Sequence, residues 1–119
     1  MENKNIRRRL LPSKRPKKRY IAFQIVAEEK FDINQIIKHI QASFKQRIGE
    51  EAMQKSNFYF FKNRFNIKNR AGLIRTTPKY QKEMVDMINN VKMGNINLKF
   101  KTLGVSGTIN KAYSKYIVS

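Results

Sequence analysis

The sequence predicts an α+β domain of the split βαβ, ferredoxin-like kind: one antiparallel sheet with two helices on one face, in the order β-α-β-β-α-β. Three observations predict it. Residues 95–102 alternate in polarity at the strand period of two, and residues 19–27 put Ile21, Phe23 and Ile25 on one apolar face at the same period. Residues 32–48 and 77–91 carry apolar side chains at i, i+3, i+4 and i+7, the period of an amphipathic helix. Between them lie an aromatic run, residues 57–66, and an apolar segment, residues 70–77, which supply a hairpin. The 119 residues are enough for one domain with a modest core. They divide into a basic arm, 1–18, and a folded domain, 19–119.

In the first strand, Ile21, Phe23 and Ile25 form one apolar face, and Tyr20, Ala22, Gln24 and Val26 a mixed second face. Glu28, Glu29 and Asp32 follow as the densest acidic cluster. Carboxylates at a strand end can hold magnesium in a nuclease. A simpler account is preferred: Asp32 is a good helix N-cap, and the two glutamates sit in the connecting turn. Ile33, Ile36, Ile37, Ile40, Phe44 and Ile48 then form a helical stripe, with Lys38, Lys45 and Arg47 off it. Gly49 stops that helix. His39, the chain's single histidine, sits beside the stripe and reads as structural. Residues 50–56 fit a short extra helical turn.

Phe58, Tyr59, Phe60, Phe61 and Phe65 read as a strand whose polar end is Lys62, Asn63 and Arg64, with residues 66–69 as the hairpin turn. Thr77 suits a cap and Pro78 the first turn of the second helix. Its stripe is Tyr80, Met84, Met87, Ile88 and Val91, and Gly94 ends it. In the last strand Ile96, Leu98 and Phe100 face one way, and Asn97, Lys99 and Lys101 the other. Gly104 and Gly107 then predict a sharp turn, because glycine takes positive φ without a Cβ clash. Ser106 and Thr108 are suited to cap a terminal helix with the stripe Ile109, Ala112, Tyr113 and Tyr116.

Charge narrows the function. Twenty-six Lys and Arg against 8 Asp and Glu leave +18 at neutral pH. A domain of this size repels itself at that charge, so a polyanionic partner is expected, nucleic acid ahead of a membrane surface. No apolar run approaches the roughly eighteen residues a span requires. The basic start lacks the apolar block of a secretory leader. The absence of cysteine excludes disulfides and thiolate metal sites, and fits a reducing compartment. Gly104-Val105-Ser106-Gly107-Thr108 departs from the hydrolase elbow Gly-x-Ser-x-Gly at its fifth position. Residues 1–18 hold Pro12 and Pro16 and few apolar residues, so they cannot bury enough surface to order themselves. They read as an arm lying along a phosphate backbone.

Thr102-Leu103-Gly104-Val105-Ser106-Gly107-Thr108-Ile109, together with Arg9-Leu10-Leu11-Pro12 and Lys18-Arg19-Tyr20-Ile21-Ala22-Phe23, resembles the protein component 2 family of ribonuclease P, which is archaeal with a eukaryotic counterpart. The motifs stand at both ends of the chain, in the family's order. The resemblance implies a non-catalytic, cytoplasmic RNA-binding subunit. Its RNA would cut the 5′ leader from precursor transfer RNA, with magnesium serving that RNA and no cofactor on this chain. It also implies a pairing with component 3, alongside other ribonuclease P protein subunits, that braces the catalytic domain of the RNA. The alternatives are a ribosomal or other basic RNA-assembly protein of the same fold, and a small metal-dependent nuclease. The fold class also includes the RNA-recognition motif, but Arg70-Ala71-Gly72-Leu73-Ile74 has Leu and Ile where stacking aromatics would stand.

The expected phosphate contacts are Arg7, Arg8, Arg9, Lys14, Arg15, Lys17, Lys18 and Arg19 of the arm. At the glycine stretch, the amides and hydroxyls of Ser106, Gly107 and Thr108, flanked by Lys101 and Lys111, are expected to position one phosphate. Phe58, Tyr59, Phe60 and Phe61 are expected to meet a protein partner.

Overall fold

The computed structural model describes residues 17–27, 30–91 and 98–118. β1 (Arg19–Ala27) leads to α1 (Ile33–Ile48) and a short α2 (Glu50–Lys55). β2 (Tyr59–Phe60) and β3 (Ala71–Thr76) form the hairpin, and α3 (Gln81–Asn90) follows a 3-10 turn at Pro78–Tyr80. β4 (Leu98–Ser106) precedes α4 (Ile109–Ala112) and a π-helical turn, Tyr113–Ile117. The strands are antiparallel in the order β2-β3-β1-β4, which is the split βαβ arrangement the sequence predicts.

The two faces of β1 lead to two cores. Ile21, Phe23 and Ile25 pack against Ile36, Ile40 and Phe44 of α1 and Met84, Met87 and Ile88 of α3. Each fully buried side chain of this kind is worth roughly 1.5–3 kcal/mol. Asp32 caps α1 as expected, its carboxylate accepting from the Asn34 amide at 2.9 Å. Ala22 lies on the opposite face with Ala71 and Leu73, beneath Ala112 and Ile117 of the terminal helix. That helix therefore covers the sheet face that α1 and α3 leave open. The hairpin turn secures it: the Asn66 and Asn69 side-chain amides both donate to the Ile117 carbonyl at 3.0 Å.

The structure corrects three element boundaries. β2 is only Tyr59–Phe60, and Lys62–Arg64 coil into a 3-10 turn instead of ending a strand. α3 closes at Asn90, and Gly94 lies outside the described residues, as do Ile96 and Asn97. The largest correction is at the glycines. β4 runs straight through Gly104 to Ser106, and neither Gly104 nor Gly107 has positive φ. Alternation holds from Leu98 to Thr102, and then Leu103 is extra: Thr102 pairs with Phe23 and Gly104 with Ala22. This bulge resets the phase. Leu103 packs under the terminal helix, and Val105 returns to the α1–α3 side. Gly104 is required by space, since a Cβ there would fall into the ring of Tyr116.

Candidate nucleic-acid interface

The described carboxylates are Asp32, Glu50, Glu51, Glu83 and Asp86, all in or next to α1, α2 and α3. Arg47 pairs with Glu83 at 3.3 Å and with Asp86 at 3.7 Å, and Lys55 with Glu51 at 3.5 Å. The strands, residues 52–82 and residues 98–118 carry no carboxylate. Those segments bear Arg19, Lys55, Lys62, Arg64, Lys68, Arg70, Arg75, Lys79, Lys82, Lys99, Lys101, Lys111 and Lys115. Among the described residues, charge is therefore segregated, with the acids confined to the helical layer. A surface of one sign concentrates a polyanion over it.

The predicted phosphate contacts divide. Arg7, Arg8, Arg9, Lys14 and Arg15 lie outside the described residues. Lys17 and Lys18 are exposed where the chain enters β1. Around the glycine stretch, Ser106 Oγ accepts from the Thr108 amide at 3.2 Å, and Thr108 Oγ1 accepts from the Lys111 amide at 3.4 Å. Both hydroxyls thus serve their own backbone, Thr108 as the N-cap of α4. Lys111 is exposed beside them. Lys101 is not beside them: it pairs with Gln24, whereas Ser106 pairs with Tyr20, a separation of about 13 Å at the usual strand rise. Arg19 stands in its place, its guanidinium beside Gly107.

The aromatic run also divides, because β2 alternates. Phe60 is buried against Phe23, with ring centroids 5.6 Å apart, and offers no surface to a partner. Phe58 turns the same way and packs on Phe44 at 5.8 Å. Tyr59 and Phe61 point to the opposite sheet face, with rings 4.8 Å apart; Phe61 is partly buried against the second core and lies 5.9 Å from Tyr20, and Tyr59 is exposed. Tyr59 pairs with Arg75, Arg75 with Tyr20, and Tyr20 with Ser106, so one row crosses all four strands on the face shared with the terminal helix. Arg75 lies over the Tyr59 ring at 5.4 Å, its Nε donating to the Asn57 carbonyl at 3.0 Å. Tyr59 is 50% exposed. Sequence reasoning noticed Tyr20 and the aromatics but not Arg75, which only strand register brings beside them.

A second surface escaped the sequence reading. Phe31, Ile33, Phe65 and Ile67 line a concave apolar patch rimmed by Lys30, Lys62 and Arg70. Ile67 is 82% exposed. The available signal was a β-branched residue inside the Asn66–Asn69 turn, where polar residues or glycine are usual.

A small split βαβ domain with one cationic side is the class that fold and charge define. Within that class, the model of the Rpp14/Pop5 family matches residues 19–117, and the chain belongs to that family. It is 32% identical over 109 residues to Ribonuclease P protein component 2 of Thermococcus gammatolerans, covering 91% of this chain and 89% of that one. Identity to the protein of the same name from Thermococcus kodakarensis is 31% over 111 residues, with the same coverage. For that from Methanosarcina mazei it is 27% over 111 residues, covering 92% of each. Among solved structures, a chain in the cryo-EM structure of yeast ribonuclease MRP shares the fold, with a TM-score of 0.57 and 12% identity over 78% of this chain and 76% of that one.

Proposed function

We propose that this chain is a protein subunit of ribonuclease P that supports a catalytic RNA without doing chemistry itself. The observation that carries the reading is the segregation of charge on a chain of this family: the sheet and the terminal helix present cations with no carboxylate among them. RNA is drawn to that side by phosphate contacts, which set affinity and position without reading sequence. Arg19, Lys17, Lys18 and the basic residues before them supply many such contacts. Ser106, Gly107, Thr108 and Lys111, with Arg19 close by, hold a more fixed point. Such a subunit neutralises and braces folded RNA, while the RNA and its magnesium cut the 5′ leader of precursor transfer RNA in the cytoplasm.

The protein partner implied by the family resemblance is component 3. Its contact is better assigned to the patch of Phe31, Ile33, Phe65 and Ile67 than to the 58–61 run, because the patch is apolar and open while Phe60 is buried. The test is reconstitution. The isolated protein with precursor transfer RNA and magnesium should cut nothing. Added with component 3 to the catalytic RNA, it should raise cleavage. Cutting by the protein alone, or no effect on the RNA-driven reaction, would overturn the reading.

A further inference from the structure

We infer that the row Tyr59–Arg75–Tyr20, with Phe61 between the tyrosines, is a stacking site for one unpaired base of RNA. The inference rests on the RNA-binding reading above and adds a contact to bases, which phosphate attraction alone does not supply. Aromatic rings and guanidinium planes both stack bases, and a sheet face is a rigid place to mount them. Here the three side chains come from three adjacent strands in direct register. The terminal helix covers Ala22, Ala71 and Leu73 farther along the same face and leaves Tyr59 half exposed, while Tyr20 and Phe61 are partly buried at the edge of that cluster and back the site.

The surroundings favour RNA over a peptide. No carboxylate lies on β1, β2, β3 or β4, and Arg75 sits within the row itself. Tyr20 is the second residue of β1, so the chain bearing the basic residues Lys17, Lys18 and Arg19 joins the sheet at this row. A base on Tyr59 and Arg75 would therefore have cations beside the strand end for its flanking phosphates. An apolar peptide would find a concave apolar surface at Phe31, Ile33, Phe65 and Ile67 instead.

The test separates bases from phosphates. The full-length protein is titrated with a single-stranded RNA decamer and with an abasic decamer of equal charge. The wild type should prefer the base-bearing strand by roughly 5- to 140-fold, the range for one base on one aromatic side chain. Tyr59→Phe should keep that preference. Tyr59→Ala should abolish it, with affinity for the abasic strand and the salt slope unchanged. Tyr59→Leu, which retains apolar bulk, should also abolish it and covers the case in which the alanine variant unfolds. Equal binding of both strands by the wild type would overturn the stacking site and leave the RNA reading standing. A preference that survives in Tyr59→Leu would also overturn it. Failure to bind either strand would overturn both. Equal binding of the strands, with Tyr59→Ala losing purified component 3, would make the row a protein contact.

Discussion

Gly104→Ala should destabilise the domain, and Tyr116 should be the reason. The backbone of β4 at Gly104 is ordinary extended strand, so alanine meets no φ penalty there. The difficulty is space, because the added methyl would occupy the Tyr116 ring. Either the ring swings out, exposing apolar surface over Ala22, or the terminal helix lifts from the sheet. Overpacking of this kind costs about 1–3 kcal/mol. For a domain near one hundred residues that lowers the melting temperature by roughly 5–15 °C. Gly107→Ala is the internal control, since the nearest atom, Arg19 Nη1, would be 3.9 Å from its Cβ. It should stay within about 0.5 kcal/mol of wild type. Thermal melting by circular dichroism measures both, and Tyr116→Ala completes a double-mutant cycle. In the Tyr116→Ala background the Gly104→Ala cost should nearly vanish, a coupling of about 1–3 kcal/mol. A Gly104→Ala protein as stable as wild type, or an unchanged cost without the Tyr116 ring, would show that the close approach does not govern this position.

Three other outcomes rest on neighbouring features of the fold. Thr108→Ala should lower stability by about 1 kcal/mol through loss of the α4 cap, and Thr108→Ser should restore it, again by melting. Asn66→Ala together with Asn69→Ala strips both donors from the Ile117 carbonyl and should speed amide exchange across residues 109–118 more than across β1. Replacing Lys17, Lys18 and Arg19 with alanine should flatten the plot of log affinity for RNA against log salt by roughly 0.7–0.9 for each phosphate the protein no longer neutralises. An unchanged slope would remove these residues from the interface.

The helices were legible because their stripes are long and regular. Ile36, Ile40 and Phe44 on α1, and Met84, Met87 and Ile88 on α3, are the buried positions the periodicity marks. β1 was legible from alternation, and the sheet order followed from the element order. The end of β4 was not, because a bulge at Leu103 breaks the period of two just where two glycines invite a turn. The length of β2 was overestimated because five aromatics within eight residues look like strand, although only two residues pair. Of the candidate site, the hydroxyls of Ser106 and Thr108 were found by their chemistry. Arg19 was expected with the arm but not beside Gly107, and Arg75 and Ile67 were not singled out, because these neighbours come from register and turn geometry, which residue type does not encode.

Placing β1 in the middle of the sheet has a consequence for synthesis. β1 leaves the ribosome before both of its neighbours; one of its edges pairs with β3, but the other waits for β4, with Tyr20 meeting Ser106 and Ala27 meeting Leu98. At roughly 5–20 residues per second, the interval between Ala27 and Ser106 lasts about 4–16 seconds. Throughout it the nascent chain carries an unpaired edge bearing Ile21, Phe23 and Ile25, the pattern that invites wrong pairing between neighbouring chains. The remedy is partly built in: β1 begins at Arg19, directly after Lys17 and Lys18, and like charges hold two such edges apart while the last strand is being made.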